Sequence, residues 1–221
     1  MADSRTLPVT AELLDYVVDH GTWPVDDVLA DLRTETLALG GAAGMQIGHD
    51  QGQLLTLLTR TLGARRAVEV GTFTGYSSIC IARGLAEDGR LLCCDVSEEW
   101  TAVARRAWER AGLDDRIELR LAPALETLRD LPTDVPLDLV FIDADKPGYV
   151  AYWDELVPRV RPGGLLLVDN VLWGGRIVDQ PGDGDANLAA LRAFNDHAAA
   201  DPRVDLAIVP AFDGLTIACK R

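Results

Sequence analysis

The stretch Ala67-Val68-Glu69-Val70-Gly71-Thr72-Phe73-Thr74-Gly75-Tyr76-Ser77 runs from a short apolar segment, through a turn bracketed by two glycines, into a helical pattern over 76–87. That order predicts a strand, a tight turn and a helix, the opening unit of an α/β sheet. The same alternation repeats downstream. Leu91–Val96, Ile117–Leu121, Leu137–Ile142 and Leu165–Val168 read as strands, with helical patterns at 98–111, 123–130 and 149–158. Nearly continuous apolar strands indicate a parallel sheet covered on both faces. The end of the chain departs from this: Leu206–Val209 and Leu215–Cys219 are separated only by Pro210–Gly214. Strands joined so closely must pair antiparallel. The expectation is an α/β fold whose mostly parallel sheet ends in an antiparallel hairpin. A last helix near 185–199 follows a Gly- and Asp-rich loop at 173–184, and such loops carry function more often than packing.

Upstream, the first forty residues read as two helices separated by His20-Gly21-Thr22-Trp23-Pro24. Val9, Leu13, Leu14, Val17 and Val18 form one apolar stripe, and Val25, Val28, Leu29, Leu32 and Leu39 a second. Gly40-Gly41 interrupts the pattern. A third helix carries Leu54, Leu55, Leu57, Leu58 and Leu62 and is ended by Gly63. A chain of 221 residues fits one domain, with 1–44 as an N-terminal helical extension and 45–221 as the core.

Charge narrows the function classes. Against 21 Lys+Arg stand 35 Asp+Glu, a net charge of −14. Nucleic-acid binding and attraction to an anionic membrane need the opposite sign, so neither partner is expected. No apolar run approaches the roughly 18 residues of a membrane span, and Met1-Ala-Asp-Ser-Arg5 shows no signal-peptide core. A soluble, cytoplasmic protein is expected. Cys80, Cys93, Cys94 and Cys219 contain no C-x-x-C pair. In a strand, Cys93 and Cys94 point to opposite faces, so these read as buried free thiols.

In open α/β sheets, ligands bind beyond the carboxyl ends of the strands. The first strand ends at the Gly71–Gly75 turn, where a ligand can approach bare backbone; the turn is not G-x-G-x-x-G. The second ends at Asp95, about where an acidic residue would grip two ribose hydroxyls. Together they favour a nucleoside-containing cofactor. The fourth strand ends in Asp143-Ala144-Asp145-Lys146 and the fifth in Asp169-Asn170. If these ends are adjacent, Asp143, Asp169 and Asn170 offer hard oxygen donors suited to Mg²⁺, Mn²⁺ or Ca²⁺. Lys146 is conspicuous because the only other lysine is Lys220; the remaining basic residues are arginine. Arginine cannot be deprotonated in a protein, whereas a lysine beside a cation can act as a base. Trp173 follows Asn170 closely enough to face a substrate. The three histidines lie in separate segments without ligand spacing.

Glu69-Val-Gly-Thr-Phe-Thr-Gly-Tyr-Ser77, Asp143-Ala-Asp-Lys146 with Tyr149, and Asp169-Asn-Val-Leu-Trp-x-Gly175 resemble the cation-dependent O-methyltransferases of the caffeoyl-CoA and catechol type. The likeness runs from Met45-Gln46-Ile47 to the C-terminus and is nearest to bacterial catechol-type enzymes of natural-product metabolism. It implies a Rossmann-like methyltransferase fold with a seven-stranded sheet, and a homodimer. It also implies an S-adenosylmethionine site lined by Ile47, Glu69, Gly71, Thr72, Ser77, Asp95, Ala124 and Asp145. Asp143, Asp169 and Asn170 would hold Mg²⁺, and Lys146 would be the catalytic base. Lys146, Asp143 and Trp173 would meet an aromatic diol. Gly174 stands where plant caffeoyl-CoA enzymes commonly carry an asparagine that contacts the acceptor, and His49 replaces a common proline. A catechol-like acceptor is therefore expected, with a caffeoyl-CoA-type acceptor as the alternative. Outside this class stands an NAD(P)-dependent oxidoreductase, which would want G-x-G-x-x-G and Tyr-x-x-x-Lys; neither is present.

Overall fold

The computed structural model describes residues 9–179 and 184–221. Its strands are β1 (Arg66–Val70), β2 (Arg90–Asp95), β3 (Ile117–Leu121), β4 (Leu137–Ile142), β5 (Val160–Val168), β6 (Val204–Val209) and β7 (Leu215–Lys220). The helices are α1 (Ala11–Gly21), α2 (Asp27–Leu37), α3 (His49–Leu62), α4 (Tyr76–Gly84), α5 (Glu98–Ala111), α6 (Ala124–Arg129), α7 (Tyr149–Leu156) and α8 (Ala186–Ala199). The seven strands lie in the order β3-β2-β1-β4-β5-β7-β6, and only β7 runs against its neighbours. This is the expected α/β arrangement, hairpin included.

Side-chain alternation along each strand separates two cores. Ala67, Leu91, Cys93, Leu139, Phe141 and Leu167 pack beneath α2, α3, α4 and α5. Val68, Val70, Cys94, Val140, Ile142 and Val168 pack beneath α6, α7 and α8 around Trp153 and Phe194. Cys93 and Cys94 thus face opposite cores as free thiols, and Cys80 is buried too, whereas Cys219 is only half-buried.

Several boundaries differ from the sequence expectation. α4 stops at Gly84 rather than 87, where a Cβ would lie 2.6 Å from Thr56 O and from Thr59 Cβ of α3, so the two helices are in backbone contact there. β5 begins at Val160, before Pro162-Gly163-Gly164, and absorbs these residues by a register shift against β4 between Leu137 and Leu139. Leu39 lies beyond α2, ahead of a 3-10 turn at Gly40–Met45. The 173–184 segment starts with another 3-10 turn, Trp173–Val178, while 180–183 lie outside the described residues. Among the described residues no helix is long and apolar enough to cross a membrane.

Candidate active site

The order places β1 and β4 side by side at the point where successive strands diverge to opposite edges, the place where α/β sheets open a crevice. Gly71 follows β1 with φ +91°, and a Cβ there would sit 1.9 Å from the carbonyl oxygen of Asp143. Only glycine lets these two strand ends lie against each other. The crevice is about 720 Å³ and is lined by Gly44–Gly48, Gly71–Thr74, Ser77, Asp95, Ala124, Asp143–Lys146, Asp169, Asn170 and Trp173, among others. Ile47, Gly71, Thr72, Ser77, Asp95, Ala124 and Asp145 therefore share one wall system with the second group, Asp143, Lys146, Asp169, Asn170 and Trp173.

Two of the residues expected at the cofactor site have duties the sequence did not reveal. Asp95 Oδ2 accepts the backbone N–H groups of Thr72 and Phe73 at 2.9 and 2.8 Å, and its Oδ1 accepts that of Ser97 at 2.8 Å. It lines the crevice and also shapes the glycine turn. Glu69 does not line the crevice: it is fully buried behind the wall, where its Oε2 accepts from Cys93 Sγ at 3.3 Å. Among the described residues its Oε1 and the hydroxyl of Thr72 have no hydrogen-bond partner. Burial pushes the Glu69 carboxyl up to about 8, against the weaker opposing pull of the neighbouring Ser77 and Cys93 side chains.

At the β4 and β5 ends, Lys146 is buried and its three ammonium hydrogens are matched by three acceptors. Nζ lies 2.6 Å from Asn170 Oδ1, 2.7 Å from Tyr149 OH and 3.1 Å from Asp143 Oδ1. Tyr149 passes its own hydrogen to the carbonyl oxygen of Asp169 at 3.1 Å. Asp169 Oδ1 accepts the N–H of Asn170 and Oδ2 accepts from Gln51 Nε2, both at 2.8 Å. Burial raises the Asp169 carboxyl to about 6, helped by the negative charge of Asp143 and opposed by Gln51. Burial also raises Asp143, with Lys146 opposing.

The donor set fits a hard divalent cation. Asp143 Oδ1 and Asn170 Oδ1 already converge on one positive charge, the Lys146 ammonium, and Asp169 stands beside them with a free lone pair on each oxygen. Two carboxylates and an amide would hold it; among the described residues there is no group of three or more His, Cys, Asp or Glu placed to hold a metal ion.

Around this centre lie residues that the sequence reading did not assign. Tyr152 donates to Asp145 Oδ1 at 2.6 Å. Asp185 is another: its Oδ2 accepts, at 3.1 Å, from Nε1 of Trp173, the residue the sequence does place at the acceptor. Asp213, in the turn before β7, lines the crevice and accepts the N–H of Gly174. Asp213-Gly214 reads in sequence only as a hairpin turn, and a glutamine such as Gln51 on a helix gives no signal at all. His49 lies outside the crevice and hydrogen-bonds Tyr76 OH and the carbonyl oxygen of Trp23.

Fold and crevice together define a Rossmann-like methyltransferase. The O-methyltransferase family matches residues 21–221, and the chain belongs to that family. Caffeoyl-CoA O-methyltransferase 2 of Petunia hybrida is 35% identical over 230 residues, covering 98% of this chain and 93% of that protein. The O-methyltransferase from Bacillus cereus, solved in complex with SAH, superposes with a TM-score of 0.86 at 34% identity, over 94% of this chain and 96% of that one. TomG from Streptomyces achromogenes, an O-methyltransferase involved in tomaymycin synthesis and solved with SAM, gives 0.84 at 32% identity, over 93% and 94%. The family membership displaces the oxidoreductase alternative.

Proposed function

We propose that this chain transfers the methyl group of S-adenosylmethionine to one hydroxyl of a vicinal dihydroxy aromatic small molecule, with Mg²⁺, or Mn²⁺ or Ca²⁺ in its place, held by Asp143, Asp169 and Asn170. The observation that carries the reading is the Lys146 cluster. A buried amine, two carboxylates and an amide oxygen meet at the rim of the same crevice as the Gly71 turn. The relatives solved with SAH and SAM support the cofactor.

When bound, the cofactor supplies an electrophilic methyl group, and the cation lowers the pKa of a coordinated hydroxyl. The chain does the rest. The Gly71–Ser77 turn and Ala124 seat the cofactor with Ile47 over it, Asp95 meets its ribose, Asp145 faces the crevice beside it, and Glu69 supports the turn from behind. In its neutral form, with one hydrogen fewer than the ammonium, Lys146 Nζ takes the proton of the reacting hydroxyl and becomes the ammonium, while Tyr149 OH holds that nitrogen in place. Trp173 flanks the acceptor ring. Holding oxygen and methyl close and aligned supplies up to roughly 7–11 kcal/mol in favourable systems. A lone phenol offers one oxygen where the site calls for two, so it is a poor acceptor.

The test is mass-spectrometric methyl transfer to a panel of catechols, matched phenols and a caffeoyl-CoA-type ester, with Mg²⁺ or with EDTA. Catechol product that vanishes in EDTA and returns with Mg²⁺ is expected. EDTA-resistant product removes the cation from the reading, and a preference for the CoA ester replaces the acceptor. The same reading makes 1–221 one cytoplasmic methyltransferase domain that acts as a homodimer. A place in bacterial natural-product metabolism is supported by the tomaymycin relative.

A further inference from the structure

Asp169 is nearly inaccessible, yet it belongs to the group that faces the crevice. A carboxylate can rotate about its last bond, and only contacts to both oxygens fix its plane. Here the contacts have different origins. Oδ1 is held by the N–H of Asn170, the next residue in the chain, so that bond moves with the Asp169 backbone. Oδ2 is held by Gln51 Nε2, which comes from the first turn of α3, 118 residues away in the sequence. Gln51 is therefore the contact that ties the carboxylate to the rest of the molecule.

Three features suit Gln51 to that task. It is buried at 3% exposure, and its amide lies 2.8 Å from Oδ2, an ordinary hydrogen-bond length. It is neutral: a lysine or arginine would orient the carboxylate but cancel its charge, whereas an amide orients it and leaves the charge for a cation. Its depth is set by the helix, because a Cβ on the next residue, Gly52, would sit 2.7 Å from Cys80 Sγ of α4. α3 is seated that deeply only because residue 52 has no side chain.

We propose that Gln51 is a positioning residue of the cation site, fixing the plane of Asp169 so that one lone pair on each oxygen stays aimed into the crevice. The inference rests on the reading that Asp143, Asp169 and Asn170 hold a divalent cation, and adds a residue that supports them from outside the ligand set. Because α3 continues directly from Gly44–Gly48, which also line the crevice, the same bond ties that part of the wall to the cation cradle.

Mn²⁺ is the probe, and its binding to the full chain saturated with SAH is measured by electron paramagnetic resonance. Gln51→Met keeps the length of the side chain and removes the donor. Mn²⁺ binding is expected to weaken by about 10–100-fold, the usual effect of losing a group that orients a metal ligand. Gln51→Asn keeps an amide but withdraws it by one methylene, and weakens binding in the same direction if the methionine variant does not fold. Gln53→Met, on the same helix but bonded to Trp23 instead, should leave Mn²⁺ affinity unchanged. In turnover, the Mn²⁺ concentration for half-maximal rate rises, while kcat at saturating Mn²⁺ stays within about threefold, since only uniform binding is lost. Wild-type Mn²⁺ affinity in both Gln51 variants overturns the inference and leaves the cation site standing. A wild-type chain that binds no Mn²⁺ overturns both.

Discussion

Lys146 sits where a proton must move and where a fixed positive charge would be useless. Its amine has three acceptors within 3.1 Å and little contact with water. Lys146→Met is expected to lower turnover by about 10²–10⁴-fold, the usual worth of a positioned base, while SAH binding by calorimetry stays near wild type; full activity across pH would remove the base assignment. Glu69 gives a second test. Its carboxyl is raised to about 8 by burial, so the unfolded chain releases its proton first. Its contribution to stability therefore falls as pH rises from the ordinary carboxylate range, and the loss is complete only above about 8. Glu69→Gln cannot ionise and should gain thermal stability over wild type between pH 5 and 8, by roughly 2–4 °C per kcal/mol in a chain of this size. Parallel melting curves would refute the buried-acid reading. Lys146, Asp143, Asp169 and Asn170 were legible because strand ends are legible and because lysine and asparagine are rare in this chain. Gln51, Tyr152 and Asp213 were not. Each gains its meaning from a partner brought near by folding, and nothing local to Gln51 distinguishes a donor to Asp169 from any polar helical residue.

At the scale of elements, two glycines set how closely the supporting pieces approach. A Cβ on Gly52 would meet Cys80 Sγ at 2.7 Å and Tyr76 Cε1 at 3.1 Å. Gly52→Ala must push α3 off α4 and should cost about 1–3 kcal/mol, as overpacking usually does. Since Tyr76 lines the crevice, SAH affinity should fall with the melting temperature; an unchanged melting curve would mean the helices adjust freely. Gly71→Ala is harsher, because the clash is with backbone, the Asp143 carbonyl oxygen, and φ is +91°. SAH binding should be lost. The elements themselves were readable from periodicity, since strands buried on both faces give continuous apolar runs. Their ends were less so. β5 continues through Pro162-Gly163-Gly164, residues that locally forbid a strand, because the neighbouring β4 tolerates a register shift. α4 ends where α3 lies against it, information absent from residues 76–87.

For the whole molecule, α1 poses a question that the single chain does not answer. It has 11 residues, none of them buried among the described residues, and Leu14, Tyr16 and Val17 are each about half exposed or more. A helix shorter than about 12–15 residues is marginal in water without packing. Thr10 caps it and Tyr16 stacks on His20, but these contacts supply too little to replace a buried face. A second copy of the chain, as in the proposed homodimer, would cover it. Light scattering at micromolar concentration should give twice the 23.9 kDa chain mass. Val17→Glu should shift the species towards monomer, because it puts a charge where the partner would bury a methyl group. The sign of the salt effect also follows. Each chain carries −14, so two copies repel over a Debye length of about 10 Å at 0.1 M salt. Raising ionic strength should therefore tighten the dimer, the opposite of an interface held by complementary charges. A monomer at every salt concentration would refute the homodimer and leave α1 without a partner.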